Sequence, residues 1–260
     1  MRVACVQENV LFGDPMGNAR VAVEHLQKLA GEVDLVLFPE AFLTGYCVGS
    51  QDEAKKIAIS QEHEALRLIE STGISAVVGF AESEGDRLFN SSLLFHGGQR
   101  HLYRKTHLPV LGYDRFAQPG HCLEPVATPW GSVGLLICFD LRLPEPSRTL
   151  ALRGAELIAL PTNWPVGADL SADVISRARA AENRVFFATC NRVGTENGTT
   201  FFGRSRIIGL EGEVIAEAGA EPCVITANID LSLARQKTRV VIPGEYETDT
   251  FATRQPDIYA

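Results

Sequence analysis

Short apolar runs alternate with segments of helical periodicity along most of the chain, and this alternation restricts the fold more than any other feature of the sequence. The first unit begins with an apolar run at residues 3–6. A helix capped by Asn18 and ended by Gly31 follows, and the run at residues 34–38 comes next. A strand, a helix and a second strand of these lengths form one βαβ unit. The pattern therefore predicts α/β or mixed α+β layers.

The remaining segments follow the same pattern. A polar helical stretch is predicted at residues 52–72 and a strand at residues 74–80. The strongest hairpin signal is His96-Gly97-Gly98-Gln99, between strands at residues 92–95 and 101–105. Further strands are predicted at residues 133–138, 157–160, 185–190, 206–209, 213–216 and 223–229, and further helices at 145–153 and 171–184. No Pro-rich or Ser-rich linker divides the chain, so we expect one domain over residues 1–260.

The C-terminal segment differs from the rest of the chain. After Arg239 the hydrophobic periodicity fades, and only isolated apolar residues such as Ile242, Phe251 and Tyr259 remain. Such a segment cannot bury much of itself. We therefore expect residues 240–260 to form a tail that packs on a partner subunit or on another part of the sandwich.

Composition and spacing argue against several classes of function. The 32 acidic and 24 basic residues give a net charge of −8, which opposes binding to nucleic acid. Neither a signal peptide nor a membrane span is predicted, because no apolar run is long enough. The six cysteines form no C-x-x-C pair and fit a reducing cytoplasm, where we expect the protein to reside. The six histidines lack metal-binding spacing, so no metal site is expected.

Reactive side chains stand at the ends of three predicted strands: Glu40, Lys105 and Cys138. Each alone has an ordinary explanation, as a turn carboxylate, an exposed edge lysine or a core cysteine. The carboxyl ends of strands line the usual ligand crevice of α/β proteins, so the three can meet. A free thiol with a pKa of about 8.5 needs a base or a cation to react at neutral pH. Together the three residues supply a base, a cation and a nucleophile, the minimum set for acyl transfer through a thioester.

Ordered segments around these residues resemble the nitrilase superfamily, the carbon-nitrogen hydrolases. The matching segments are Phe38-Pro-Glu-Ala-Phe-Leu-Thr-Gly-Tyr46, Tyr103-Arg-Lys-Thr-His-Leu108, Gly134-Leu-Leu-Ile-Cys-Phe-Asp-Leu-Arg142, Pro144-Glu145 with Arg148, Gly154-Ala-Glu156, Pro161-Thr-Asn-Trp-Pro165, Arg179-Ala-Ala-Glu-Asn183, Asn191-Arg-Val-Gly194 and Phe202-Gly-Arg-Ser205. The resemblance implies a four-layer αββα sandwich and a Glu-Lys-Cys triad at Glu40, Lys105 and Cys138. It also implies that no metal or organic cofactor is needed and that two subunits pair as a homodimer.

The expected function is hydrolysis of a small-molecule amide. Cys138 would attack the carbonyl carbon while Glu40 takes the thiol proton, and Lys105 with the backbone N–H of Phe139 would stabilise the oxyanion. Hydrolysis of N-carbamoyl compounds or nitriles uses the same triad in this family and stays open. We expect the substrate pocket to be lined by Tyr46, Asn163 and Trp164.

Two alternatives and one departure from the family pattern remain. A Cys-His hydrolase would use His107 or His121 as the base, and a catalytically silent binding protein would keep the fold without the chemistry.

Members of the family commonly carry a second glutamate after the catalytic lysine, but here the short loop offers only Asp114. Asp114 is either a solvated turn residue paired with Arg115 or a second acid that faces Lys105.

Overall fold

The computed structural model describes residues 1–259, and most of its strands belong to two six-stranded sheets. The strands are β1 Arg2–Gln7, β2 Leu35–Leu37, β3 Ala76–Glu84, β4 Arg87–His96, β5 Gln99–Arg104, β6 Val126–Thr128, β7 Gly131–Leu135, β8 Leu157–Pro161, β9 Phe186–Cys190, β10 Val193–Glu196, β11 Thr199–Phe202, β12 Arg206–Ile208, β13 Val214–Glu217, β14 Cys223–Asn228, β15 Thr238–Ile242 and β16 Tyr246–Asp249. The α-helices are α1 Pro15–Leu29, α2 Gln51–Ile57, α3 Glu64–Glu70, α4 Pro144–Leu152 and α5 Ser176–Asn183.

The two large sheets have similar topologies. The first has the order β14-β1-β2-β3-β4-β5 and the second has the order β13-β12-β9-β8-β7-β6. In the first, β1, β2 and β3 are parallel, and in the second β7, β8 and β9 are parallel. The outer strands of both sheets pair in antiparallel fashion. The two central layers are therefore sheets whose middle strands are parallel and whose outer strands are antiparallel.

Strand alternation explains the layering. In β1, Val3 and Cys5 belong to the core that includes buried residues of the second sheet, whereas Ala4 and Val6 belong to the core under α1 and α3. Successive side chains of a strand point to opposite faces, so each sheet buries both of its faces. Helices α4 and α5 contribute Leu150 and Ala180 to the core of the second sheet. The result is the expected four-layer αββα sandwich.

The first helix prediction was wrong in its N-terminal limit. Helix α1 begins at Pro15, and its cap is Asp14 rather than Asn18, because the Asp14 carboxylate accepts the N–H of Gly17 at 2.8 Å. Asn18 is buried instead, and its side chain donates to the carbonyls of Leu11 at 2.7 Å and Leu43 at 3.0 Å. Its amide therefore holds a loop in place rather than a helix end.

The helical stretch predicted at residues 52–72 is divided into α2 and α3. Ile59 lies between them and forms a bridge with Glu82 of β3, where the N–H of Ile59 donates to the carbonyl of Ala81 at 2.9 Å. Pairing with the sheet takes precedence here over local helical propensity. The helix predicted at residues 171–184 similarly begins with a π-helical turn, Ser171–Ile175, before α5.

The predicted hairpin at His96-Gly97-Gly98-Gln99 is present as β4 and β5. Gly97 and Gly98 have φ angles of 58° and 72°, and a two-residue turn with two positive φ angles matches the twist of the strands. The hairpin β10–β11 was not predicted from the sequence. Its strands have four residues each, too few to show a periodicity of their own.

The C-terminal segment contains regular structure that its weak periodicity did not indicate. Strands β15 and β16 pair with each other as a separate hairpin. Phe251 anchors the segment, because its ring lies 4.9 Å from the Arg148 guanidinium and 5.0 Å from Lys237 Nζ. Val241 and Tyr246 remain about half exposed, at 49% and 55%.

None of the helices within residues 1–259 combines the length and the apolar character needed to cross a lipid bilayer.

The loop that follows β2 packs directly against β3 at Gly79. A methyl group added at Gly79 would lie 2.6 Å from the backbone nitrogen of Ala41 and 3.0 Å from Cα of Glu40. Real Cβ atoms are not found this close to backbone atoms. A glycine is therefore required for the loop that carries Glu40 to lie on the sheet.

We expect Gly79→Ala to push this loop away from β3 and to destabilise the fold by on the order of 1–3 kcal/mol, as overpacked cores do. Chemical denaturation measures the effect. Gly219→Ala is the matched control, because a methyl group there meets no atom within 4 Å. Equal midpoints for the two variants would show that the loop is not held by this contact.

We also expect the exposed apolar residues of the tail to be covered by a partner subunit, so the protein should be at least a dimer. Sedimentation velocity over a range of concentrations, together with limited proteolysis, measures this. A monomer at all concentrations, with a tail that resists protease, would contradict the prediction.

Candidate active site

Glu40 lies just beyond the carboxyl end of β2. After Pro39 the chain turns sharply, because Ala41 adopts a left-handed conformation with φ of 47°. The backbone N–H of Glu40 points to the carbonyl of Thr162, beyond the end of β8, at 3.4 Å. As a result, the Glu40 side chain is buried between the strand ends of the two sheets.

Cys138 opens a short 3₁₀ turn, Cys138–Arg142, after β7, and its φ of 43° is also left-handed. The buried carboxylate of Asp140 stabilises this turn. It accepts hydrogen bonds from the N–H of Ile137 at 3.0 Å, the hydroxyl of Tyr103 at 2.7 Å and the N–H of His107 at 2.9 Å. Asp140 thus ties the turn that carries Cys138 to the segment that carries Lys105.

Lys105 follows β5, and its ammonium group is buried, with only 1% of the residue exposed. Its Nζ donates to Oε1 of Glu40 at 2.8 Å and to Oδ2 of Asp114 at 2.5 Å. The side-chain amide of Asn90 bridges the same two carboxylates, with distances of 2.7 Å to each. One cation and one amide therefore hold both acids in place.

Asp114 is buried in the 3₁₀ turn Gly112–Arg115 and is not a solvated turn residue. Besides Lys105 and Asn90, its carboxylate accepts the Tyr46 hydroxyl at 2.9 Å. Its ion pair is with Lys105 rather than with Arg115. The short loop therefore brings a second carboxylate to the lysine, and the catalytic role of Asp114 stays a prediction.

The buried charges change the proton affinities of the three groups. Burial raises the pKa of Glu40, and the nearby Asp114 adds to this, although Lys105 opposes it. Burial disfavours the charged form of Lys105. The negative charges of Asp114 and Glu40 favour it more strongly and raise the pKa of Lys105 well above its usual value. Burial and the Glu40 carboxylate raise the pKa of the Cys138 thiol, against the effect of Lys105. The resting site thus favours a protonated thiol beside a strong carboxylate base.

Groups near the thiol retain free hydrogen-bonding capacity. Oε2 of Glu40 is buried and has no hydrogen-bond partner within the described chain. The backbone N–H of Asn163 lowers the pKa of the Cys138 thiol, although burial outweighs this effect. Phe139 lies in the first turn of the 3₁₀ segment, where backbone N–H groups are free of intrahelical partners. The arrangement offers a base and an N–H donor near one nucleophile.

A cavity of about 430 Å³ lies beside this cluster. Tyr46 and Asn163 line it, as expected, together with residues of the loop before α2 and of the hairpin β10–β11. Trp164 does not line it. Only 3% of Trp164 is exposed and its side chain belongs to the hydrophobic core, so the expectation of a pocket wall at this residue is wrong for this cavity.

Sequence reasoning missed the ion pair that shapes one wall of the cavity. Oε1 of Glu196 accepts the backbone N–H groups of Tyr46 at 2.8 Å and Cys47 at 2.7 Å. Oε2 of Glu196 accepts Arg192 Nη1 at 2.6 Å, and the Arg192 side chain is completely buried. Arg192 lies in a segment that carries the family resemblance, but nothing local indicates that its partner Glu196 bonds to the backbone of Tyr46, 150 residues away.

The alternative chemistries find less support in the geometry. His107 bonds to Asp140, with its Nδ1 3.0 Å from Oδ1, and this hydrogen bond raises the pKa of His107. His121 lines a different cavity, beside Arg87 and Phe89. Within residues 1–259, no three His, Cys, Asp or Glu side chains are grouped closely enough to hold a metal ion.

Comparison with known proteins identifies the family. The family description "Carbon-nitrogen hydrolase" matches residues 2–239. The chain is 36% identical to a nitrilase of Pyrococcus abyssi, over 91% of this chain and 92% of that protein. It is 34% identical to an (R)-stereoselective amidase of a Pseudomonas species, over 92% of this chain and 88% of the relative.

A solved structure supports the same assignment. It is a variant of an amidase from Nesterenkonia sp. AN1 that shows Michael addition of acrylamide at the active-site cysteine. It superposes with a TM-score of 0.77 at 26% identity, covering 91% of this chain and 96% of its own. The present chain therefore belongs to the carbon-nitrogen hydrolase family, the nitrilase superfamily, and is an enzyme that acts on carbon–nitrogen bonds other than peptide bonds.

Proposed function

We propose that this enzyme hydrolyses small amides through a thioester on Cys138, with Glu40 as the general base and acid and Lys105 as a cationic oxyanion donor. One observation carries the proposal. Oε1 of Glu40 is held by Lys105 and Asn90, whereas the buried Oε2 has no partner in the described chain. A carboxylate with one oxygen hydrogen-bonded and the other oxygen unpaired is suited to exchange a proton with the neighbouring thiol.

In the first half-reaction, Oε2 of Glu40 takes the thiol proton as Cys138 Sγ attacks the carbonyl carbon. The raised pKa of Glu40 makes it a better proton acceptor than an ordinary glutamate. The Lys105 ammonium and the Phe139 N–H stabilise the tetrahedral oxyanion. Glu40 then gives its proton to the leaving nitrogen, the C–N bond breaks, and ammonia or an amine departs.

In the second half-reaction, Glu40 takes a proton from water, and the resulting hydroxide attacks the thioester carbon. The C–S bond breaks and the proton returns from Glu40 to the sulfur, so a carboxylic acid leaves and the resting thiol is restored. Every proton transfer uses the same carboxylate. The fixed contacts of Glu40 Oε1 with Lys105 and Asn90 keep the group in place through both halves.

The nature of the relatives supports an amide substrate. The Nesterenkonia and Pseudomonas relatives are both amidases. A variant of the Nesterenkonia enzyme shows Michael addition of acrylamide at its active-site cysteine, which indicates a reactive thiol but not attack on the amide carbon. The Pyrococcus relative is a nitrilase, and a nitrile could be attacked by the same sulfur. Ammonia release from matched series of amides, N-carbamoyl compounds and nitriles would separate these classes of substrate.

We expect Cys138→Ala to lower amide turnover by at least about 10⁴-fold, because the nucleophile is lost. The fold should remain, since the change removes only one sulfur atom from a turn. Cys122→Ala, at an exposed cysteine outside the site, is the control and should retain turnover. Intact-protein mass spectrometry on acid-quenched reactions should show an acyl adduct that maps to Cys138. Appreciable activity in Cys138→Ala would overturn the thioester mechanism.

We expect Asp114→Asn to lower turnover by about 10- to 100-fold, which is less than the loss for Glu40→Gln. The negative charge of Asp114 raises the pKa of both Glu40 and Lys105, so its removal should lower both. Activity needs ionised Glu40 and protonated Lys105. Both limbs of the pH–rate profile should therefore move to lower pH.

A pH–rate profile of kcat/KM for the parent and for Asp114→Asn measures this shift. Tyr46→Phe is a useful comparison, because it removes a hydrogen bond to Asp114 and leaves the carboxylate charge in place. Unchanged limbs in Asp114→Asn, with or without lower turnover, would show that Asp114 has only a structural role.

A further inference from the structure

The cavity beside the active site has a charge pattern that the proposed chemistry does not require. Of the residues that line it within the described chain, Glu53 carries a charge and none is Lys, Arg or His. Oε2 of Glu53 accepts the backbone N–H of Gly49 at 2.7 Å. This hydrogen bond orients the carboxylate at the N-terminal end of α2. Glu53 is itself partly buried, so its charge is less screened than that of a fully exposed residue.

The charges around the cavity do not cancel. The active-site cluster has two carboxylates, Glu40 and Asp114, and one cation, Lys105. The nearby Glu196 is neutralised by Arg192. Glu53 adds a further negative charge on the cavity wall. The site as a whole therefore has a negative potential, which disfavours an anionic substrate and favours a cationic one.

A second feature of the wall indicates a missing polar partner. Asn163 is only 3% exposed, yet neither Oδ1 nor Nδ2 has a hydrogen-bond partner within the described chain. Buried amide groups are nearly always paired, because an unpaired one costs free energy. Asn163 also lines the cavity, and its backbone lowers the pKa of the Cys138 thiol. A ligand bound next to the nucleophile is the partner that the Asn163 amide lacks.

The rest of the wall limits the size and character of the ligand. Val48, Leu111 and Phe201 provide apolar surface between the polar groups, and a volume of about 430 Å³ suits a small molecule. A short methylene chain would lie against these apolar residues. Cys138 itself does not line the cavity, so one end of the ligand would lie at Asn163, beside the active-site cluster, and the other at the carboxylate of Glu53.

We infer that this cavity selects amides whose acyl part carries an ammonium group, with Glu53 binding the ammonium and the Asn163 side chain accepting or donating a hydrogen bond to the substrate. The inference rests on the proposed amide hydrolysis and names its substrate class. An acyl part with a carboxylate at the same position is disfavoured by Glu53 and finds no cation on the wall.

The test compares kcat/KM for three primary amides of similar size: β-alaninamide, which is cationic, butyramide, which is neutral, and succinamate, which is anionic. The expected order is cationic, then neutral, then anionic, with roughly a fivefold step for each change of charge, as a partly exposed charge pair would give. Equal rates for the three amides, or a preference for succinamate, would overturn the inference.

Two variants should move this selectivity in opposite directions. Glu53→Gln removes the negative charge and should lower the ratio of β-alaninamide to succinamate by up to about 25-fold, the product of the two fivefold steps. Asn163→Asp adds a negative charge at nearly constant shape and should raise the same ratio. A merely structural role for either residue would lower all three rates together and leave the ratio unchanged.

Glu62→Gln is the matched control. It makes the same chemical change at a side chain that is 72% exposed and does not line the cavity, so the ratio should stay at the parent value. A shift as large as that of Glu53→Gln would overturn the assignment to Glu53. No turnover of any of the three amides by the parent would instead count against amide hydrolysis itself, so the two failures are distinguishable.

Discussion

The active site depends on the burial of one positive charge, the ammonium group of Lys105. Removing an ammonium group from water costs several kcal/mol unless opposite charges and hydrogen bonds replace the solvent. Glu40 and Asp114 supply those charges, and each belongs to a different loop. The segments after β2 and β5 and the turn at Gly112–Arg115 can therefore reach their native positions only together. The positions of these segments and the pKa values of Glu40 and Lys105 therefore depend on the same ion cluster.

Local backbone strain accompanies this cluster. Both Ala41 and Cys138 have left-handed φ angles, which cost about 1–3 kcal/mol each in residues other than glycine. The surrounding contacts compensate: Gly79 lets the loop with Ala41 lie on β3, and Asp140 bonds the turn with Cys138. These constraints hold Cys138 and Glu40, the proposed nucleophile and base, at fixed positions on the ends of two packed sheets.

Catalytic groups and cavity walls come from different parts of the fold. The catalytic groups follow the strands of the large sheets, whose packed core holds them rigidly. The walls come from the loop before α2 and from the hairpin β10–β11, which are joined through Glu196 and Arg192. Loops tolerate change more easily than a packed core does.

The sequence by itself determined the layered α/β fold, the Gly97-Gly98 hairpin and the positions of Glu40, Lys105 and Cys138 after strands, because local periodicity and turn chemistry depend on neighbouring residues. It also led to a single helix over residues 52–72 and to Trp164 as a pocket wall, where the structure differs. Only the tertiary structure decided that Asp114 is buried rather than solvated, since its contacts with Lys105 and Tyr46 require several loops to converge. The same holds for the pairing of Glu196 with the backbone of Tyr46, because contacts between distant segments arise from sheet packing and leave no local pattern in the sequence.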